Sequence, residues 1–272
     1  MTFNLFPYCN IFLFFSVFLF GLATGSFLNC IIYRLHTGES FFSGRSYCPH
    51  CQHILSWQDL IPVFSFLILK GKCRYCSQKI SWQYPLVELS TALLFVLIFN
   101  LQSISTLSQS ITTLYLFIIS SFLIVIFVYD LKHYIIPDKV IYSAIGIVFL
   151  YQLFRIWNFG NWDLFRISNL GFGILPSLFL LAIILLSGGK WMGLGDFKLA
   201  FFMGLFLGFP NILVALFLAF FIGAIIGLGL IALGKKTLKS EIPFGPFLVT
   251  GTFIALFWGR VIIDWYLSLF LA

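Results

Sequence analysis

The sequence predicts an all-α polytopic membrane protein of about eight transmembrane helices, with a small cytoplasmic zinc-binding insert. Three observations predict it. Of 272 residues, 61% are apolar, 20% aromatic and only 9% charged, whereas a soluble domain carries about 25% charged residues. The apolar residues gather into runs long enough for helices in a bilayer. The basic residues fall almost entirely on alternate loops.

A hydrocarbon core needs about 20 apolar residues in helix. The segments that qualify are Ile11–Tyr33, Pro85–Leu101, Ile111–Tyr129, Val140–Trp157, Ile167–Leu186, Phe197–Phe209, Asn211–Leu233 and Phe247–Leu269. Phe197–Phe209 is short and stops at Pro210, so partial insertion or merging with its neighbour is the alternative for that segment. The first run has no Lys or Arg before Arg34 and no clear small-residue cleavage motif. It reads as a retained membrane helix rather than a signal peptide.

With the N-terminus outside, only Arg155, Arg166 and Arg260 fall on the outer side, and every other Lys and Arg falls inside. That asymmetry is the positive-inside pattern. It accounts for the formal net charge of +7 without a nucleic-acid partner, and none is expected. The predicted organisation is a first transmembrane helix at 1–33, a cytoplasmic insert at 34–84, and a polytopic domain at 85–272 that carries the remaining spans. No internal repeat is evident. Gly21/Gly25, Gly204/Gly208 and Gly223/Gly227 have the small-xxx-small spacing of close helix contacts, a spacing that glycine-rich lipid helices also reach by chance.

The insert carries Cys48-Pro-His-Cys51 and Cys73-Arg-Tyr-Cys76. Two tight CxxC turns bring four sulfurs toward one point, a tetrahedral thiolate set suited to structural zinc. Four protein ligands leave no open position for catalysis. The reducing cytoplasm disfavours disulfides. His50 or His53 as a replacement ligand, and a set of thiols without metal, are the alternatives. The expected role is to fold a loop too small for its own core.

Ionisable groups at membrane depth are costly and by default suggest function. Asp130 ends an apolar run and is followed by Ile136-Pro137-Asp138. Asp196 sits in Gly193-Leu-Gly195-Asp196-Phe-Lys198, where the glycines allow close approach of another chain. Both stretches fall on the cytoplasmic side. Two carboxylates brought together share a proton, so one activates water while the other protonates a carbonyl, as in an aspartyl peptidase. Spacing does not bring these two together, and an Asp at a helix end is also a common interfacial residue.

In order along the chain stand Gly25-Ser-Phe-Leu-Asn29-Cys-Ile-Ile-Tyr33-Arg34-Leu35, the two CxxC knuckles with Asp59-Leu-Ile-Pro62 between them, Ile80-Ser-Trp-Gln-Tyr84-Pro85-Leu-Val-Glu88, Asp130 with Ile136-Pro137-Asp138, Gly-x-Gly-Asp at 193–196, and Ile242-Pro-Phe-Gly245-Pro246-Phe. This series resembles the bacterial type IV prepilin peptidase family over nearly the whole chain. Gly-x-Gly-Asp alone is shared with presenilin-like and archaeal preflagellin peptidases; the ordered set is far more specific.

The resemblance implies that Asp130 and Asp196 are catalytic. It implies cleavage of a short basic leader from prepilin or pseudopilin precursors at the cytoplasmic face of the bacterial inner membrane. The new N-terminal residue is then methylated with S-adenosylmethionine. No methyltransferase fold or nucleotide loop is recognisable, so the sequence assigns no residue to the methyl donor. Gly193, Gly195, Asp138, Lys198 and Glu88 are read as supporting residues. For Asp138 helix capping is the alternative, for Lys198 snorkelling to the interface, and for Glu88 an interhelical hydrogen bond in place of contact with the leader. A peptidase without methyltransferase activity, and a proton-coupled transporter, are the competing functions; the transporter lacks the repeated halves such proteins usually show.

Overall fold

The computed structural model describes residues 6–40, 44–102, 106–159, 164–189, 192–237, 240 and 242–271. Lys190 and Lys239, expected on the inner side, lie outside the described residues. Outside the insert the described chain is mostly helical, and the only β pairing among the described residues is two isolated bridges in the insert.

The long helices are α1 (Phe6–Thr37), α3 (Gln83–Leu101), α4 (Leu107–His133), α5 (Asp138–Phe159), α6 (Leu164–Ser187), α7 (Leu194–Leu207), α8 (Asn211–Ala232) and α9 (Gly245–Leu271). The insert between α1 and α3 holds a 3₁₀ turn, Trp57–Leu60, and the short α2 (Phe64–Ile68). Each predicted apolar segment lies on one long helix, with ends displaced by a few residues. Among the described residues, five stretches are long and apolar enough to cross a bilayer: Ile11–Thr37, Gln83–Leu101, Leu107–His133, Asn211–Ala232 and Gly245–Leu269.

The segment with the doubtful span is α7. Its 14 residues reach about 21 Å at 1.5 Å per residue, short of a hydrocarbon core of about 30 Å. It does not merge with α8. Gly208 ends it at φ +68°, a left-handed conformation that a side chain resists. Leu199, Ala200, Phe202, Met203 and Gly204 are buried, and α7 packs on α5, α6, α8 and α9. It is a core helix enclosed by neighbours rather than a lipid-facing one.

The chain divides into two compact units, Met1–Val125 and Ile126–Ala272. In the first, α1 and α3 approach until only hydrogen fits between them. A Cβ on Gly21 would stand 2.5 Å from Cα of Ala92, and one on Gly25 would stand 2.6 Å from Cα of Glu88. The Gly21/Gly25 spacing is therefore a packing interface. In the second unit a Cβ on Gly204 would collide with the carbonyl oxygen of Gly173, which joins α7 to α6. Gly223 packs against the Phe247 ring, 3.1 Å from where its Cβ would stand, and joins α8 to α9.

Candidate active site

Asp130 and Asp196 both belong to the second unit. Asp130 lies in the last turn of α4 and is buried. Its Oδ2 accepts a hydrogen bond from the backbone N–H of Gly245 at 3.0 Å. Gly245 is the first residue of α9, where the N–H groups of a helix lack intrahelical partners and carry the positive end of the dipole. Pro246 follows, at a helix start where a missing N–H costs little.

Asp196 occupies the first turn of α7. Its Oδ2 accepts from the N–H of Gly193 at 3.3 Å, while its own N–H donates to the Gly193 carbonyl at 3.1 Å. This reciprocal pair holds the carboxylate back against the helix start. Each Asp therefore rests at a helix N-terminus, Asp130 at that of α9 and Asp196 at that of α7.

The Ile-Pro-Asp and Gly-x-Gly-Asp stretches close on one another. A Cβ on Gly195 would stand 3.2 Å from Cβ of Ile136, so the glycine lets the two turns touch. Three residues on, Lys198 Nζ donates to Asp138 Oδ1 at 2.6 Å, and the same ammonium sits 5.0 Å from the Tyr142 ring centroid. Asp138 lies in the first turn of α5. Its carboxylate engages the lysine of α7, and Lys198 is anchored rather than loose.

Glu88 belongs to the first unit. It is buried, and its Oε2 accepts from the Val63 N–H at 2.7 Å. That bond ties α3 to the insert. The sequence by itself assigns no role to Gly245. Its only signal was its place in the ordered motif at 242–247, because nothing local announces a contact with a residue so distant in the chain.

The sulfurs of Cys48, Cys51, Cys73 and Cys76 all lie within 4.8 Å of one another, and those of Cys48 and Cys76 are 3.9 Å apart. A tetrahedron with metal–sulfur bonds of about 2.3 Å has sulfur–sulfur edges of about 3.8 Å. The donor set thus fits a four-thiolate ion after a small contraction. The two knuckles are built alike. Cys48 N–H donates to His53 at 3.0 Å and Cys73 N–H to Gln78 at 2.8 Å; Gln52 and Ser77 both take φ +58°; bridges Tyr47–Ile54 and Lys72–Lys79 close the two loops. A short structural repeat is therefore present where the sequence showed only the paired CxxC spacing. The His53 ring stacks on Tyr75 at 3.6 Å.

Burial raises the Cys48 thiol, but backbone N–H groups of Cys51 and His50 and the neighbouring thiols outweigh it and bring it down to about 7. The Gln78 backbone lowers the Cys76 thiol, but burial and the other three thiols prevail and push it up to about 12. Asp59 braces the second knuckle, accepting from Arg74 Nε at 2.8 Å, Tyr75 Oη at 3.2 Å, and Ser56 Oγ at 2.8 Å.

Residues 19–101 match the family model described as the bacterial peptidase A24 N-terminal domain, and residues 117–228 match that of the type IV leader peptidase family. With its helices, this makes the chain a multi-pass membrane peptidase of the aspartic class. A prepilin leader peptidase/N-methyltransferase of Aeromonas salmonicida (strain A449) is 37% identical over 94% of this chain and 94% of its own. Relatives of the same name from Legionella pneumophila and Bacillus subtilis (strain 168) are each 33% identical, covering 94% and 93% of this chain and 95% and 97% of theirs. No solved structure gives a significant match. The chain belongs to the type IV leader peptidase family.

Proposed function

We propose that Asp130 and Asp196 are the catalytic pair with which this peptidase removes the basic leader of prepilin or pseudopilin precursors, at the cytoplasmic face of the bacterial inner membrane. The observation that supports the reading is that both carboxylates belong to the second unit and each accepts from a glycine N–H at the start of a helix. Such a pair holds one proton between its members. The ionised member takes a proton from water as the water attacks the scissile carbonyl, and the protonated member gives its proton to the carbonyl oxygen. The N–H of Gly245 fixes one oxygen of Asp130 and leaves the other for the reaction. Gly193 does the same for Asp196.

The cytoplasmic placement rests on the charge asymmetry of the loops. The leader's basic residues suit a site that carries negative charge. The four thiols of the insert hold structural zinc in this reading, supported by their spacing and all-sulfur chemistry. The names of the relatives support N-methylation of the freed N-terminus by the same chain. S-adenosylmethionine, when bound, supplies the methyl group; no residue here is assigned to it. The transporter alternative is not favoured by any relative.

The test is cleavage of a precursor co-reconstituted in liposomes. Asp130→Asn and Asp196→Asn each abolish cleavage while the protein stays folded and membrane-inserted. Processing at the wild-type rate by either variant rejects the pair. Mass spectrometry of the mature product reads methylation separately, as one added methyl group.

A further inference from the structure

We propose that the cysteine insert lies against the bilayer rather than in bulk water, with α2 and two flanking tryptophans seated at the lipid interface. The helix α2 presents Phe64, Leu67 and Ile68 at i, i+3 and i+4, one face of a helix, and these are 57, 61 and 72% exposed. Its Phe66 turns the other way, buried against the Trp82 ring at 4.9 Å. Trp57 and Trp82 are themselves 73 and 68% exposed. A loop in water would turn polar groups outward here. Three large apolar side chains exposed on one face of so short a helix mark an interaction surface.

Glu88 ties that face to α3. The N–H of Val63, which caps α2, donates to Glu88 Oε2 at 2.7 Å. Val63 is held at φ +60°, a strained conformation for a β-branched residue, so the bond constrains the start of α2 where the chain would otherwise relax. Glu88 is five residues into α3, which begins at Gln83 and is a candidate span. Five residues of helix rise about 7.5 Å. Interfacial helices bury their apolar face about 5–10 Å into the headgroup and acyl boundary. Thus α2 is tethered about 7.5 Å past the start of a candidate membrane helix. Trp82, directly before α3, stands where tryptophans collect at membrane boundaries.

Charge agrees. Lys70, Lys72 and Lys79 follow α2 and are all exposed. Residues 34–84 carry six Lys and Arg against two Asp and Glu. Lysines beside an interfacial apolar face reach the headgroup phosphates. The other occupant to weigh is the apolar helix of a precursor, but such a partner does not call for the excess of exposed lysines that an anionic lipid surface attracts.

The experiment uses the full-length chain reconstituted in phosphatidylethanolamine–phosphatidylglycerol liposomes, with photoreactive benzoylphenylalanine replacing Phe64 in one preparation and Ile68 in another. Irradiation is followed by mass spectrometry, with and without a co-reconstituted precursor. Lipid adducts at both positions, unchanged by precursor, are expected. A Leu67→Glu change is expected to lower the adduct yield at 64 several-fold. Absence of lipid adducts at both positions, or their replacement by precursor adducts, overturns the proposal. Because the readout is lipid contact and not cleavage, it stands or falls independently of the catalytic pair.

Discussion

The backbone N–H of Gly245 donates to Oδ2 of Asp130 at 3.0 Å, and a Cβ placed on Gly245 would stand 2.5 Å from that same oxygen. The residue is thus required twice, for its N–H and for its lack of a side chain. Gly245→Ala must push the carboxylate aside or displace the start of α9. Misplacing a reacting group by about 1 Å costs on the order of 100-fold in rate. The variant is expected to lose at least that much kcat in a liposome cleavage assay while its affinity for precursor changes little. A kcat within about threefold of wild type would show that the contact does not position Asp130.

The Lys198–Asp138 pair predicts coupled, moderate effects. Asp138 is largely exposed, so the ion pair contributes only about 0–1 kcal/mol to stability. Its consequence lies in geometry, because Lys198 is two residues from Asp196 on α7. Lys198→Met and Asp138→Asn are each expected to lower kcat several-fold with little change in thermal stability. The double variant should be no worse than the poorer single one. Strict multiplication of the two losses in a double-mutant cycle would show that the residues act separately.

These relationships differ in how far the sequence reveals them. The long helices are legible because lipid leaves a chain no other way to satisfy its backbone, so the apolar runs must be helical. The knuckles are legible because a metal site with four thiolates demands fixed local spacing. Asp130 and Asp196 stand out because carboxylates are rare in such a chain. What joins them is not local. Lys198 and Asp138 are 60 residues apart, and Gly245 and Asp130 are 115 apart. Glycine 195 is readable as permissive, but not that Ile136 fills the space it leaves. The short α7 shows the same limit: its length is written in the sequence, its enclosure by four other helices is not.

Asp59 predicts how the insert responds to acid. Burial raises its carboxyl, but hydrogen bonds from Ser56, Arg74 and Tyr75 outweigh this and hold it below the ordinary carboxylate range. A depressed folded value means the ionised form favours the fold. That stabilisation is fully present above the unfolded value of about 3.9 and is lost as pH falls through the folded value. Amide protection of residues 44–80, taken relative to the intrinsic exchange rate at each pH, is expected to fall below about pH 4. Asp59→Asn should weaken that acid dependence, leaving what protonation of the thiolates contributes, and leave the insert less protected at neutral pH. An unchanged acid profile in the variant rejects Asp59 as its source.

The thiol cluster predicts dependence of the insert on metal. Four sulfurs within 4.8 Å of one another form a site whose metal-binding free energy is also folding free energy. Purified protein is expected to carry one zinc per chain. Replacing Cys73 and Cys76 together by Ser should lower that content at least tenfold or so, since even outer partners of a metal site cost about 10–100-fold in affinity. Removing zinc from the wild type with a chelator should loosen residues 46–80 to protease while the membrane helices stay protected. Both knuckles should loosen together, because each supplies half of the ligands. Wild-type protein that resists protease equally with and without chelator, or that contains no zinc, rules out a metal as what folds the insert.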